Sequence, residues 1–314
     1  MKLRDLVETY IAYKRSLGMR FRTDADTLRA FCRAMGDVAI EDVKPDPVLT
    51  FIAGSGPVTA YWRQKFSILG SFYRYALGRG FATLSPLPAS LPKLPPPLTP
   101  YIYSVDELQQ LLAATDTLRA PNSPLHATTM RTLLQLLYGT GMRIGEALSL
   151  TLQDVDLPER LLTVCDTKFF KTRLVPIGPR LVAALTEYIS RRRQLPLPAG
   201  EASSFFATRT GRRWHYRNVN DLFGRVRRAA GIQREKTARY QPRIHDLRHT
   251  AAVHRVIAWY RTGADVQRLL PQLATYLGHI DVSSTQRYLS MTAELLREAS
   301  LRFEQYANPE TRHE

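Results

Sequence analysis

The chain is divided by the proline-rich stretch Ser85-Pro-Leu-Pro-Ala-Ser-Leu-Pro-Lys-Leu-Pro-Pro-Pro-Leu-Thr-Pro100, which holds seven prolines. Proline fixes φ and lacks a backbone N–H, so this stretch can neither propagate a helix nor pair inside a sheet. We therefore interpret residues 85–100 as a linker between two domains, residues 1–84 and 101–314. The length of 314 residues agrees with this division, because a single hydrophobic core seldom grows beyond this size.

Apolar residues recur at helical spacing throughout residues 1–84. Two stripes are Leu3-Leu6-Tyr10-Tyr13-Leu17 and Leu28-Phe31-Cys32-Met35. The longest predicted helix runs from about residue 57 to 77 and aligns Arg63, Ser67, Gly70 and Arg74 on one side. Small residues between two cations would let a DNA backbone approach, and a solvated helix face is the equally weighted alternative. The first domain is predicted to be all-helical.

Residues 101–314 combine helical patterns with one β signal. Ser104-Val-Asp-Glu107 has the form of a capping box and predicts the start of a helix. The runs Leu161–Cys165 and Arg173–Ile177 flank a short polar and aromatic turn, which predicts a β-hairpin that carries lysines. The expected fold is mainly α with a small antiparallel sheet, in a helical domain followed by an α+β domain.

The charge balance points to a polyanionic partner. Lysine and arginine number 44 against 28 aspartates and glutamates, a formal net charge of +16. Basic residues are densest between Phe205 and His245, where only Asp221 and Glu235 oppose them; they include Arg212, Arg213, Arg225, Arg227 and Arg228. This density suits a surface that follows DNA phosphates, and a solvated charge run is the alternative.

Several other classes of protein are disfavoured. Cys32 and Cys165 are too few for a disulfide scaffold or a cysteine-based zinc site, so a reducing compartment is expected. No apolar run approaches the roughly 18 residues needed to span a bilayer. We expect a cytoplasmic, nucleoid-associated protein without a membrane partner.

Three motifs carry groups suited to phosphodiester chemistry. Metal-free cleavage needs a nucleophile, cations to neutralise the phosphorane and an acid for the leaving oxygen. Arg143 lies at a predicted helix start in Gly141-Met-Arg-Ile-Gly-Glu146, where Glu146 could orient it. In His245-Asp-Leu-Arg-His249, the first histidine and Arg248 share a helix face. Tyr288 follows His279 of Leu277-Gly-His279 by nine residues.

Each motif alone is weak, because an Arg–Glu pair at this spacing is commonly a surface pair and an isolated tyrosine is commonly a core residue. Several such motifs recurring in one order along the chain form a specific signal. The sequence resembles the tyrosine recombinase (phage integrase) family over residues 101–314, and the preceding helical domain resembles that family's core-binding, SAM-like module. Within the family it resembles Xer-like and transposon-encoded recombinases. The stretches between Arg248, Gly263 and His279 are each about one helical turn longer than in compact Xer recombinases, and this lengthening, with Tyr276-Leu-Gly-His279, is similar to transposon-encoded recombinases.

The resemblance implies roles for six residues. Arg143 and Arg248 would clamp the scissile phosphate, and His245 and His279 would hydrogen-bond its oxygens. Tyr288 would attack the phosphorus, leaving a 3′-phosphotyrosine and a free 5′-hydroxyl. No metal would be needed. No nucleotide cofactor would be needed either, because the protein–DNA link conserves the bond energy.

The family's general acid is a lysine on the hairpin, and two lysines compete for this role in Asp166-Thr-Lys168-Phe-Phe-Lys171. Counting back from Leu174-Val-Pro-Ile177 places Lys168 on the family's catalytic position and Lys171 on a common basic one. We prefer Lys168. His249 is expected to be structural.

The resemblance also implies partners. The expected reaction is site-specific strand exchange on double-stranded DNA by a homotetramer on two sites, with companion recombinases as further partners, in integration, excision or transposition of a mobile element. Leu296, Ala299, Phe303 and Tyr306 predict an amphipathic final helix. In this family such a helix often docks on a neighbouring protomer, and packing on its own domain is the alternative. A catalytically inactive accessory protein and a type IB topoisomerase are the rival functions.

Overall fold

The computed structural model describes residues 1–56, 58–93, 95–96, 98–120, 125–165, 172–235, 237–278, 283–286 and 292–307, without the side chains of 283, 284 and 305–307. The chain forms two units, residues 1–98 and 99–314. The described residues between 83 and 103 form neither helix nor strand. No helix within the described ranges has the length and apolar character needed to cross a bilayer.

The first unit is helical, as predicted. Its helices are α1 (Leu3–Ser16), α2 (Arg22–Met35), α3 (Pro45–Ala53) and α4 (Ala60–Gly78), with a 3-10 turn at Ile40–Asp42. The predicted stripes supply the core: Leu3, Leu6, Tyr10, Leu28 and Phe31 are buried. Burying large apolar side chains of this kind is the main favourable term in folding.

Helix α4 begins at Ala60, three residues later than predicted, because Thr59 takes an extended conformation with φ −127° and ψ 172°. Trp62, Leu69 and Tyr73 on its inner face are buried. On the opposite face Arg63, Ser67 and Arg74 are exposed. This cationic face is therefore accessible within its unit.

The second unit is mainly helical. Its helices are α5 (Val105–Ala114), α6 (His126–Thr140), α7 (Ile144–Ser149), α8 (Pro179–Arg193), α9 (Tyr216–Ala229), α10 (Asp246–Arg261), α11 (Val266–Leu277), α12 (Ser283–Gln286) and α13 (Ala293–Ala307). The predicted capping box is present at the start of α5, where Glu107 N donates to Ser104 Oγ at 3.1 Å and Ser104 N donates to Glu107 Oε2 at 2.8 Å.

A three-stranded antiparallel sheet of order β1-β2-β3 completes this unit: β1 (Val155–Asp156), β2 (Leu161–Val164) and β3 (Arg173–Pro176). The two longer strands are those predicted for the hairpin, with Leu162 opposite Val175 in the register. Alternate side chains face inward, so both of these residues are fully buried while Leu174 is exposed. The fold class predicted from the sequence is confirmed.

Helix α13 packs on its own unit, against α10. Leu295 is fully buried, and Arg261 of α10 forms ion pairs with Glu294 at 2.7 Å and Glu298 at 2.9 Å. Two members of the predicted apolar stripe do not make this contact, since Leu296 is 53% and Phe303 is 72% exposed. The helix thus packs through one face and leaves a second apolar face open.

The turn at the end of α6 requires a glycine at residue 141. Gly141 has φ +63°, and a Cβ at this position would lie 2.5 Å from Leu277 Cδ2. Gly231, after α9, has φ +69° but no atom within 4 Å of a Cβ. At both positions glycine adopts the left-handed backbone conformation without strain. At Gly141, but not at Gly231, the missing side chain also avoids a clash.

We expect Gly231→Ala to destabilise the second unit by about 1–2 kcal/mol, the usual cost of a left-handed non-glycine residue. Gly141→Ala should cost about 1–3 kcal/mol more, because its methyl group must displace Leu277. Urea unfolding of both variants measures the difference. Equal losses would contradict tight packing at this turn.

Candidate active site

The Gly141 turn places Arg143 immediately before α7. The backbone N–H of Arg143 donates to Glu146 Oε2 at 2.9 Å, and its Nη1 donates to Glu146 Oε1 at 2.9 Å. The other end of the guanidinium reaches a distant segment, since Nη2 donates to the carbonyl oxygen of Gly278 at 3.1 Å. The Arg143 side chain is 41% exposed, so its charge is accessible to a ligand.

Glu146 is held by a second arginine that the sequence analysis did not select. Arg173, the first residue of β3, donates from Nη1 to Oε1 at 3.1 Å and from Nη2 to Oε2 at 2.8 Å. The side chains of Glu146 and Arg173 are only 11% and 15% exposed. Burial raises the pKa of Glu146, but the hydrogen bonds from Arg173 and Arg143 overcome it and hold the pKa at about 2.

A pattern in the sequence indicates the inward position of Arg173. Side chains alternate along a strand, so Arg173 lies on the same face of β3 as Val175, which is fully buried. A charged residue at such a position needs an ionic partner. The sequence does not identify that partner, because Glu146 lies on another element.

Arg248 lies in the first turn of α10 and is 3% exposed. Its Nη1 donates to the carbonyl oxygen of Gly141 at 2.7 Å, two residues before Arg143 in the chain. The predicted clamp arginines are therefore held on connected segments: Arg248 on the turn that leads to Arg143, and Arg143 on the turn at Gly278.

His245 occupies the N-cap position of the same helix, without a side-chain capping hydrogen bond, and is partly buried. Burial lowers its pKa below the ordinary value of 6.5, and the charges of Arg248, Arg243 and Arg143 act in the same direction. The imidazole is thus neutral at neutral pH and carries one N–H donor.

His249 packs behind His245, with ring centroids 5.3 Å apart at 88°. Burial lowers the pKa of His249 to about 4, with a smaller contribution from His245. The start of α10 is fixed by Asp246, which accepts from Arg243 N at 2.9 Å and from Arg243 Nη2 at 2.7 Å.

The structure brings together Arg143, His245 and Arg248 of the predicted site. Lys168, Lys171, His279 and Tyr288 lie outside the described residues. Their neighbours in the chain are described: β2 and β3 flank the lysine segment, and Gly278, which directly precedes His279, accepts the hydrogen bond from Arg143. Within the described ranges, no three His, Cys, Asp or Glu side chains cluster so as to hold a metal ion.

The prediction that the basic run between Phe205 and His245 forms a surface along DNA phosphates is wrong for one of its residues. Arg227 is 8% exposed, and its Nη1 donates to the carbonyl oxygen of Ile232 at 2.7 Å and to Gln241 Oε1 at 3.3 Å. Both hydrogen bonds tie its guanidinium to the segment after α9, so it is buried there and does not lie on the surface. Arg225 and Arg228, on either side, are exposed.

Comparison with known proteins gives a consistent result. Residues 103–294 match the model of the Phage integrase family. The chain is 33% identical over 304 residues to a putative integrase/recombinase, y4rB, of Sinorhizobium fredii, covering 96% of each protein. It is 30% identical over 294 residues to the tyrosine recombinase XerC of Oceanobacillus iheyensis, covering 92% of this chain and 90% of that one.

A solved structure shares the fold. The Tn1549 transposon integrase, in complex with transposon right end DNA, superimposes with a TM-score of 0.71 at 16% identity, covering 98% of this chain and 100% of that chain. At this low identity the likeness is one of fold.

The charge of Glu146 should make stability depend on pH. Its folded pKa of about 2 lies below the ordinary 4.5, so its contribution is complete above pH 4.5 and is lost as the pH falls towards 2. Glu146→Gln should lower the free energy of unfolding by on the order of 2–3 kcal/mol at pH 7. Below pH 4.5 the two proteins should converge.

Urea unfolding of both proteins between pH 7 and pH 3 measures this. Glu187→Gln is the matched control, because Glu187 pairs with Arg191 at 2.8 Å on the surface, with 63% and 54% of the two side chains exposed. It should change stability by less than about 1 kcal/mol. A difference between wild type and Glu146→Gln that stays constant with pH would contradict the buried ion pair.

Proposed function

Since the chain belongs to the phage integrase family and is a tyrosine recombinase, an enzyme that cleaves and rejoins DNA in site-specific recombination, we propose that it acts through a 3′-phosphotyrosine at Tyr288. The observation that carries this proposal is the placement of Arg143, Arg248 and neutral His245 around one set of connected turns. These groups suit a phosphate, and the nucleophile is assigned by its position in the family motif.

In the proposed step the Tyr288 phenolic oxygen attacks the scissile phosphorus while the bond from phosphorus to the 5′-oxygen breaks. The phenolic proton is released, and Lys168 supplies a proton to the leaving 5′-oxygen. A 5′-hydroxyl of a partner strand then attacks the phosphotyrosine and reverses the chemistry. The number of phosphoester bonds is unchanged, so no nucleotide cofactor is consumed.

The proposed clamp acts by charge. Arg143 and Arg248 would neutralise the negative charge that develops on the pentacovalent phosphorane, a type of interaction whose loss commonly costs about 100- to 1000-fold in rate. His245, whose pKa burial lowers, would donate its single N–H to a non-bridging oxygen. His279 would supply a second such hydrogen bond.

DNA binding by both parts of the chain is part of the proposal. We assign residues 1–84 to a core-binding domain, 85–100 to a linker and 101–314 to the catalytic domain. The exposed Arg63, Ser67 and Arg74 of α4 support phosphate contacts in the first, and Arg225 and Arg228 support them in the second.

The proposed assembly is a homotetramer on two DNA sites. The apolar face of α13 that its own unit leaves open, with Leu296 and Phe303, supports a contact between protomers. Lambda integrase, which shares the fold with a TM-score of 0.62, forms a tetramer bound to a Holliday junction. Similarity to an integrase/recombinase and the fold of a transposon integrase support a role in moving a mobile element.

Covalent trapping tests the nucleophile. Duplexes enriched from a randomised library by the full-length Tyr288→Phe variant are resynthesised with a nick beside each candidate cleavage position, so that the cleaved end diffuses away. Wild type should form a protein–DNA complex that survives SDS, and Tyr288→Phe should form none. Tyr240→Phe, which changes another tyrosine, should still form it.

Loss of the complex in Tyr240→Phe alone, or its persistence in Tyr288→Phe, would overturn the assignment. A wild-type chain that binds the duplex but forms no complex would be an inactive accessory protein. Relaxation of a supercoiled plasmid without strand exchange would indicate a topoisomerase.

A sulfur-substituted DNA tests the general acid. A thiolate leaves without a proton far more readily than an alkoxide, since thiol pKa values lie several units lower. Lys168→Met should therefore cleave normal DNA at least about 100-fold more slowly than wild type, and near the wild-type rate when sulfur replaces the bridging 5′-oxygen. Lys171→Met should show no such recovery. The opposite pattern would assign the acid to Lys171.

A further inference from the structure

We propose that Arg173 is a positioning residue for DNA cleavage, which holds Glu146 and the Gly278 turn so that the Arg143 guanidinium stays fixed and charged. The proposal rests on the role assigned to Arg143 above. It concerns a residue that does not itself touch the phosphate in the proposed step, and it is carried by the contacts among four described residues.

Arg173 first fixes the carboxylate. Its two hydrogen bonds to Glu146, at 3.1 and 2.8 Å, use both oxygens of the carboxylate in a fork. Arg143 bonds to the same carboxylate through its backbone N–H and Nη1. Because a planar fork sets the orientation as well as the distance, the carboxylate that orients Arg143 is itself oriented by Arg173.

Arg173 also supports the other partner of Arg143. A Cβ on Gly278, which has φ +71°, would lie 2.7 Å from Arg173 Nη1 and 2.9 Å from its Cζ. The guanidinium thus fills the space that a side chain would take, and it packs on the turn whose carbonyl accepts from Arg143 Nη2 at 3.1 Å. Both ends of the Arg143 guanidinium therefore bond to groups that Arg173 contacts.

The second effect of Arg173 is on the charge that Arg143 offers to a phosphate. Arg143, Arg173 and Glu146 together carry two positive charges and one negative charge, so the group retains a net positive charge for a phosphate. Arg173 is 15% exposed and Arg143 is 41% exposed. The buried arginine is the natural neutralising partner of the buried carboxylate, and the accessible arginine keeps its charge. Without Arg173, Glu146 would neutralise Arg143 instead.

The test compares Arg173→Gln, Glu146→Gln and the double variant in the full chain, using the nicked duplex at saturating protein. Arg173→Gln should slow covalent complex formation about 10- to 100-fold and leave the Kd for the duplex within about threefold of wild type. Arg173→Lys, which keeps the charge but not the fork, should recover part of the rate. On the Glu146→Gln background, Arg173→Gln should slow cleavage by a clearly smaller factor than in the wild-type chain, because only its packing on the Gly278 turn remains to be lost.

A thermal unfolding cycle on the same variants does not depend on cleavage. Arg173→Gln and Glu146→Gln should each lower Tm, and the double variant should lower it by clearly less than the sum of the two. The matched control is the exposed pair of Arg191 and Glu187, whose →Gln variants should give additive Tm shifts.

Each outcome decides the proposal. Cleavage by Arg173→Gln within about twofold of wild type, or rate losses that multiply in the double variant, would overturn it. Additive Tm shifts for Arg173 and Glu146 would overturn it as well, even if wild type formed no covalent complex. Such a failure of wild type would instead count against the proposed function, so the two failures are distinguishable.

Discussion

The buried carboxylate of Glu146 is the interaction on which the site depends. A carboxylate removed from water is costly unless it is paired and hydrogen-bonded. Glu146 meets this requirement with two arginines, from the residue before α7 and from β3. The same ion cluster therefore links the helix that follows Gly141, the hairpin and, through Arg143, the turn at Gly278. Three segments distant in sequence are held by one charge.

Arginine-to-carbonyl hydrogen bonds extend this framework to α10. Arg248 donates to the Gly141 carbonyl, and Arg143 donates to the Gly278 carbonyl. Both glycines have positive φ, and at both a side chain would meet another residue, Leu277 or Arg173. The tight turns bring backbone oxygens within reach of guanidinium groups, and packing against the turns limits their movement. The preorganisation of the site thus begins with glycine conformation and ends with cation placement.

Sequence reasoning succeeded where the signal is local. The apolar stripes through Leu3 and Leu28, the capping box at Ser104 and the two hairpin strands each follow from spacing along a single element. It failed for Arg227 and missed Arg173, because the exposure of an arginine depends on partners from other elements. Arg227 is buried by the turn that follows α9, and Arg173 by Glu146. A dense run of basic residues therefore contains both surface and structural members, which composition does not separate.

Charge matching connects this framework to the proposed chemistry. Attack by a phenolic oxygen on a phosphodiester, with loss of the phenolic proton, builds up to two negative charges on the phosphorane. In the proposed step Arg143 and Arg248 supply two cations for it, while Glu146 offsets Arg173, and His245 is neutral because burial and neighbouring cations lower its pKa. A further cation facing the phosphate would strengthen binding of the ground state as well, which does not lower the barrier. Pairing Arg173 with Glu146 keeps a buried arginine for positioning without adding that excess charge.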